Sequence, residues 1–314
     1  SKLINTLNAP EIFGYIDCEI SGISHDSRQI KDGFIFAAID GHKLDGHSFV
    51  PDAVRRGAVV IVTEKHLHNL ESHIVQVVVP NSRKALSSLS SSFFGTPSKK
   101  IKVIGVTGTN GKTTTTYLIK SILESANRTA NHNANNTVNN IHNVKPQVGL
   151  LGTIKYCLGN KVLPAKETTP ESVVLHDLMA QMVDMKIGHV VMEVSSQGLV
   201  QHRTDDIEFC SAVFTNLTPE HLDYHGDFSA YRDAKAILFR GLSPDSFAVL
   251  NADDDAGKFF SEKTRANVIW YGIRKNADVR CESAEFLTDS TKMTVSYRNK
   301  EVEMVLPLIG LHNI

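Results

Sequence analysis

Cysteine is scarce. Cys18, Cys157, Cys210 and Cys281 are the only four in 314 residues, and no two form a CxxC pair. That spacing argues against a zinc site or a disulfide framework and fits a reducing compartment. An excess of charge of one sign is also lacking. Lys and Arg number 33 against 34 Asp and Glu, a net charge of −1. There is therefore no electrostatic footprint for nucleic acid or an acidic membrane surface. No apolar run approaches membrane-spanning length, and the N-terminus carries no signal-peptide pattern. The expectation is a soluble cytoplasmic protein, a monomer, with neither nucleic acid nor membrane as partner.

What is present is ordinary for a globular chain, 41% hydrophobic and 21% charged. A length of 314 residues exceeds one typical domain and predicts two. The turn-rich, charged stretch 95–100 is the best boundary, giving domains at 1–99 and 100–314. The first reads as a small α/β unit. Strands are expected at 33–39, 58–62 and 74–79, and helices at 49–57 and 82–94, the latter with Leu86, Leu89 and Phe93 on one side. The second alternates strands and helices, with strands expected at 189–194, 211–216, 247–251 and 268–271. A hairpin of 293–297 with 302–306, turned at Asn299-Lys300, closes it. This alternation predicts an α/β class with a mostly parallel sheet and crossover helices. Residues 130–147 hold seven asparagines (Asn131, Asn133, Asn135, Asn136, Asn139, Asn140 and Asn143) and predict a flexible surface insertion.

The chain is organised around residues 101–114. An apolar run flows into a turn with Gly105, Gly108 and Gly111, then Lys112, Thr113 and Thr114, then a helical pattern. Leu118, Ile119, Ile122, Leu123 and Ala126 recur at three- and four-residue spacing, as one buried helix face would. Strand, tight turn and helix in that order cradle phosphate. Backbone N–H groups and the positive end of the helix dipole face the anion, Lys112 adds charge, and Thr113 is placed to ligate Mg²⁺. The general nucleotide-loop pattern has a glycine where this chain has Val106.

Three further residues invite two readings each. Glu193 ends an apolar strand, where α/β sheets bind ligands; it is either a solvated strand end or the second oxygen ligand of a Mg²⁺. His221 lies among Glu220, Asp223 and His225, in either a polar surface loop or a metal or phosphate site. Lys235 falls on the stripe of Phe228, Tyr231 and Leu238. There it either snorkels to water or is held with a lowered pKa for covalent chemistry. Before the boundary, residues 24–28 and 41–47 are polar clusters that serve equally as solvated loops or as the grip on a polar ligand.

Taken together, Thr107-Gly108-Thr109-Asn110-Gly111-Lys112-Thr113-Thr114 resembles the ATP loop of the Mur ligases, the amide-forming ligases of peptidoglycan synthesis. The resemblance extends to Thr168-Thr169-Pro170-Glu171, Met192-Glu193-Val194-Ser195-Ser196, Val200-Gln201-His202-Arg203 and Thr215-Asn216-Leu217. It continues through residues 221–226 and 231–235, and includes His25-Asp26-Ser27-Arg28 and the Gly41-His42 loop. It also accounts for the departure at Val106, because the family itself uses the Thr-Gly-Thr-Asn-Gly-Lys-Thr form of the loop.

The resemblance implies an N-terminal UDP-binding domain, a central ATP-binding domain, and a third domain beyond Ile314. It implies phosphorylation by ATP of the D-glutamate carboxylate of UDP-N-acetylmuramoyl-L-alanyl-D-glutamate, then attack of a diamino acid on the acyl phosphate. Gly108, Thr109, Asn110, Gly111, Lys112, Thr113 and Thr114 would hold ATP. Thr113, Glu193 and His221 would hold Mg²⁺, and Lys235, carboxylated by CO₂, a second Mg²⁺. Ser27 and His42 would meet the uridine nucleotide. Thr168, Thr169, Ser195, Gln201 and Arg203 would meet the sugar–peptide, Arg203 offering forked donors to a carboxylate. Gln197 stands where the family usually has His. Without a third domain the chain is expected to bind both nucleotides and not complete ligation. The rival readings are a folylpolyglutamate-type ligase, against which the His25–Arg28 and Gly41-His42 loops argue, a fragment that binds without turnover, and an ordinary nucleotide-loop phosphotransferase.

Overall fold

A computed structural model describes residues 3–15, 19–41, 44–135, 147–298 and 300–311. The chain divides into two compact units: Ser1–Lys100 with Pro170–Asp184 and Gln201–Ile207, and Ile101–Thr169 with Met185–Val200 and Glu208–Ile314. The first unit is thus completed by two segments from later in the chain. Among the described residues no helix is long and apolar enough to cross a membrane.

In the first unit, β1 (Glu11–Phe13), β2 (Gly22–Ser24), β3 (Phe34–Ala37), β4 (Ala58–Thr63) and β5 (Val75–Val78) form a sheet in the order β1-β5-β4-β3-β2. All pairs are parallel except β1 with β5. The Ala-Val-Val-Ile-Val-Thr run of β4 is β-branched and nearly all buried, as a central strand covered on both faces must be. Helix α1 (Val50–Arg55) covers one face with Val50 and Ala53. Helix α2 (Ser82–Phe93) covers the other with Leu86 and Leu89, and Phe93 packs at its edge. The Asn81 side chain accepts from the Lys84 N–H at 2.9 Å and caps α2. Helix α4 (Ser172–Asp184) lies on α2, where buried Ser87, Ser90 and Ser91 bring little bulk.

Among the described residues the second unit is built on one eleven-stranded sheet. Its strands are β6 (Lys102–Thr107), β7 (Val148–Leu151), β8 (Lys155–Leu158), β9 (Lys161–Pro164), β10 (His189–Glu193), β11 (Phe209–Phe214), β12 (Phe247–Asn251), β13 (Asn267–Gly272), β14 (Val279–Phe286), β15 (Thr291–Tyr297) and β16 (Lys300–Leu306). They lie in the order β16-β15-β14-β13-β12-β11-β6-β10-β7-β8-β9. The middle, from β7 to β14, is parallel, and both edges are antiparallel. Its helices are α3 (Lys112–Asn135), α5 (Ser196–Val200), α6 (Leu222–His225), α7 (Phe228–Arg240) and α8 (Asp255–Ser261). From β6 the chain crosses to β7 on one side, and later from β10 to β11 on the other. The strand order therefore reverses beside β6, and a ligand crevice opens at the carboxyl ends of such strands.

Three expectations need correction. Helix α3 buries Thr116 and packs Tyr117, Ile119 and Leu123 on the sheet, while Ile122 is 66% exposed and Ala126 faces solvent. The inward face is thus turned from the one read off the apolar spacing, because Thr116 gives up its hydroxyl to the Thr113 carbonyl at 2.8 Å and so goes inside. On α7, Tyr231 and Leu238 are buried but Phe228, the first helical residue, is 41% exposed. The asparagine-rich stretch begins as helix rather than loose insertion, since α3 runs to Asn135; extending an existing helix costs far less than nucleating one. Residues 136–146 of that stretch lie outside the described residues. The terminal hairpin is present with Tyr297 opposite Lys300, so Lys300 opens β16; Asn299 lies outside the described residues.

Candidate functional site

The loop between β6 and α3 is held by the segment that follows β11. Gly108 has φ +149° and a Cβ there would collide with the Thr215 hydroxyl; Gly111 has φ +83°. Both positions require glycine. The Thr109 N–H donates to the Asn216 carbonyl at 2.8 Å, and the Asn110 N–H to Asn216 Oδ1 at 2.9 Å. Thr215 Oγ1 donates to the Asn110 carbonyl at 2.6 Å. Thr109 Oγ1 donates to the Thr218 carbonyl at 3.1 Å and accepts from the Thr218 N–H at 2.9 Å. Lys112, Thr113 and Thr114 then form the first turn of α3, where the N–H groups have no helical partner.

Two ammonium groups meet on one carbonyl. Lys112 Nζ donates to Gly108 O at 2.9 Å and Thr109 O at 2.8 Å, and Lys235 Nζ donates to the same Gly108 O at 2.9 Å. The nitrogens are thus within two hydrogen-bond lengths of each other. Lys235 is only 2% exposed and does not snorkel. Its nitrogen lies 4.5 Å from the ring centre of the buried Tyr231, whose hydroxyl is 3.1 Å from Thr109 Oγ1. Burial pulls the Lys235 pKa down to about 7, the Lys112 charge pulls further, and Glu220 opposes both. Burial also lowers the Lys112 pKa, against Glu193 and Glu220. This is an electropositive, water-poor cradle of backbone dipoles beside a helix N-terminus, suited to phosphate oxygens.

Glu193, the last residue of β10 and 1% exposed, faces the same loop from the neighbouring strand. Its Oε1 accepts from Thr113 Oγ1 and from the Thr153 N–H, each at 3.0 Å, and its Oε2 from Thr153 Oγ1 at 3.0 Å. Thr168 Oγ1 lies 3.1 Å from Thr153 Oγ1. Thr169 Oγ1 lies 3.0 Å from the Glu193 carbonyl and accepts from the Ser195 N–H at 2.9 Å, while Ser195 Oγ accepts from the Gly198 N–H at 3.0 Å. Thr168, Thr169 and Ser195 are therefore gathered around the strand end that carries Glu193, through its backbone and Thr153 rather than its carboxylate. His221 has φ +55° and contacts Glu220 at 3.8 Å and the Tyr231 ring at 6.3 Å. Among the described residues it makes no contact with Glu193 or Thr113. His225 lies closer to the Tyr231 ring, 5.3 Å ring to ring, with Nε2 3.0 Å from Ser196 Oγ. Burial, then the Lys235 and His221 charges, lower its pKa.

Among the described residues no group of three or more His, Cys, Asp and Glu side chains converges on a point. The Thr113–Glu193 pair does fit Mg²⁺, which takes one or two protein oxygens and fills its octahedron with phosphate oxygens and water. Thr153, Tyr231, Thr215 and Asn216 are missing from the residues expected to act. A glycine–threonine pair after a buried strand was the available signal for Thr153.

The remaining expected residues lie in the first unit. Ser27 is buried at the start of a turn whose N-cap is Asp26. Arg28 donates to both Asp26 oxygens at 2.8 Å, and that pairing first of all takes the Asp26 carboxyl down to about 2. The Ser27 hydroxyl, with Arg55 and Arg56, holds the Asp52 carboxyl below its usual range. His42 lies outside the described residues. Arg203 donates from Nε and Nη2 to Gln201 Oε1 at 3.0 and 2.7 Å, and pairs with Glu171 at 2.7 Å. Its fork already faces a carboxylate, that of the Thr-Thr-Pro-Glu segment.

Residues 106–314 match the Mur ligase middle domain, and residues 19–94 the catalytic domain of the Mur ligase family. Over 298 residues the chain is 40% identical to the UDP-N-acetylmuramoyl-L-alanyl-D-glutamate–2,6-diaminopimelate ligase of Clostridium botulinum, covering 94% of this chain and 57% of that protein. Against the ligase of the same name from Bacillus licheniformis it is 35% identical over 321 residues, 100% of this chain and 62% of the other. A solved structure of a ligase so named superposes with a TM-score of 0.78 at 24% identity, over 95% of this chain and 59% of that one, which is a likeness of fold. The chain spans about three fifths of the length of these curated relatives. With a family match over most of its length and this identity to its relatives, the chain belongs to the Mur ligase family.

Proposed function

We propose that this chain is the nucleotide- and substrate-binding portion of an ATP-dependent ligase of peptidoglycan synthesis, which joins a diamino acid to UDP-N-acetylmuramoyl-L-alanyl-D-glutamate. The observation that carries this reading is the Gly108 carbonyl, which accepts from both Lys112 and Lys235 while Thr113 touches Glu193. Three separated pieces of chain thereby meet at one loop, as a triphosphate with its cation requires. When bound, ATP with Mg²⁺ supplies the phosphoryl group that activates a substrate carboxylate.

In this reading Gly108, Thr109, Asn110, Gly111, Thr113 and Thr114 present the loop to phosphate oxygens and Lys112 neutralises them. Thr113, Glu193 and His221 serve the cation. Lys235 works as a carbamate: its neutral amine adds to CO₂, an N–C bond forms and one proton leaves to solvent. A pKa near 7 supports this, because the free amine is well populated at neutral pH. The carbamate then offers oxygens to a second cation. Residues 1–99 hold the uridine nucleotide through Ser27 and His42, and 100–314 hold ATP. Thr168, Thr169, Ser195, Gln201 and Arg203 meet the sugar–peptide. The incoming amino acid is taken as 2,6-diaminopimelate, after the names of the relatives. Ligation itself is assigned to the whole enzyme, in the cytoplasm.

Thermal denaturation with UDP-N-acetylmuramoyl-L-alanyl-D-glutamate or with a folate, each with and without ATP and Mg²⁺, tests the substrate class. Protection by the UDP compound and none by the folate is expected. The opposite pattern would replace this reading by a folate-type ligase.

A further inference from the structure

We propose that Thr153 positions the Glu193 carboxylate for its cation, so that losing the Thr153 hydroxyl weakens magnesium-dependent nucleotide binding. The inference rests on the nucleotide–cation reading above. Thr153 is exposed and lies in the loop between β7 and β8, directly after Gly152.

Its geometry is specific. One residue donates to both oxygens of one buried carboxylate, from its N–H to Oε1 and from its hydroxyl to Oε2. Among the described residues the Thr153 hydroxyl is the sole donor to Oε2. The terminal torsion of a glutamate is broad, so a carboxylate held at Oε1 alone swings about that contact. Held at both oxygens, it has one orientation. The approach is close enough that a Cβ on Gly152 would collide with Glu193 Oε1, so the glycine is what lets this backbone reach the carboxylate. On the far side, Thr168 Oγ1 stands 3.1 Å from Thr153 Oγ1. With the Thr153 proton committed to Oε2, its oxygen accepts from Thr168, and the direction of the hydroxyl is set. Thr113, Glu193, Thr153 and Thr168 thus form one chain of hydrogen bonds from the head of α3 to the Thr168-Thr169 pair. An orienting partner behind a metal ligand is typically worth about 10–100-fold in metal affinity. Because Thr153 is exposed, replacing it removes this hydrogen bond without opening the core.

The test is calorimetric binding of ATP to the 314-residue chain during a Mg²⁺ titration, in wild type, T153V and T153S. T153V keeps the shape and the N–H but not the hydroxyl; T153S restores the hydroxyl. The expected result is a Mg²⁺ midpoint raised about 10–100-fold in T153V, with T153S close to wild type and ATP binding in EDTA equal in all three. Wild-type and T153V midpoints that coincide would overturn the proposal and leave the nucleotide loop standing. A wild type whose ATP affinity ignores Mg²⁺ would overturn the underlying reading as well. The thermal midpoint without nucleotide reports whether T153V is folded, and Thr153→Ala provides the same comparison if it is not.

Discussion

At the scale of single residues, Lys235 is the most informative. Spacing alone put it on an apolar stripe, and Tyr231 and Leu238 bear that out while Phe228 does not. What spacing could not carry is the partner: Gly108 is 127 residues away in sequence. Nor does a linear pattern reveal that Lys112 shares the same acceptor. The energetic consequence has a definite sign. The folded pKa of about 7 lies below the unfolded value of about 10.4, so the unfolded chain holds more protons between those limits. Stability therefore rises with pH across that window, and the full cost of the buried charge is present below pH 7. Lys235→Met is expected to stabilise the fold by on the order of a few kcal/mol at pH 6.5. Thermal melts should show that advantage narrowing towards pH 10. Under the ligase reading, Lys235→Ala in the complete enzyme abolishes ligation, and short carboxylic acids restore part of it. Amide formation assayed with and without acetate checks this.

Elements are legible where their residues are buried on both sides. β3, β4, β5, β6 and β10 are short apolar runs, and each appears within a residue or two of where the runs lie. Several strands escape notice: β7 is buried throughout but only four residues long, while others lack buried apolar residues. β9 is largely exposed, and β14 presents Glu282, Ser283, Ala284 and Glu285 to solvent; neither has the apolar density that marks a central strand. Helix α4 escapes for the opposite reason. Its buried residues include His176 and Ser172 beside Leu175, Leu178, Met179 and Met182, so no clean polar face separates from the apolar one. The turned face of α3 gives a direct check. Ile122→Lys should shift stability by no more than about 0.5 kcal/mol, although spacing made it a core residue. Ile119→Ala, against the sheet, should cost on the order of 2 kcal/mol. Chemical denaturation of the two variants distinguishes them.

For the molecule as a whole, the alternation of strands and helices made the α/β class and the mostly parallel sheet legible. It did not reveal that 170–184 and 201–207 fold with the first hundred residues. That return depends on tertiary packing, such as Ser88 on Asp206 at 3.1 Å and α4 on α2, and leaves no mark on local pattern. Each unit has its own buried core, so scanning calorimetry is expected to resolve two transitions. ATP with Mg²⁺ at about 100 times its dissociation constant should raise the transition of the larger unit by about 2.7 kcal/mol. Lys112→Ala should abolish that shift while leaving both transitions in place.

The stitching of residues 109–110 to 215–218 has a corollary. A cradle fastened to the adjoining strand by its own amides and side chains has no hinge of its own. Under the nucleotide-binding reading, this loop is a mould cast before the guest arrives, and discrimination among nucleotides owes little to its rearrangement.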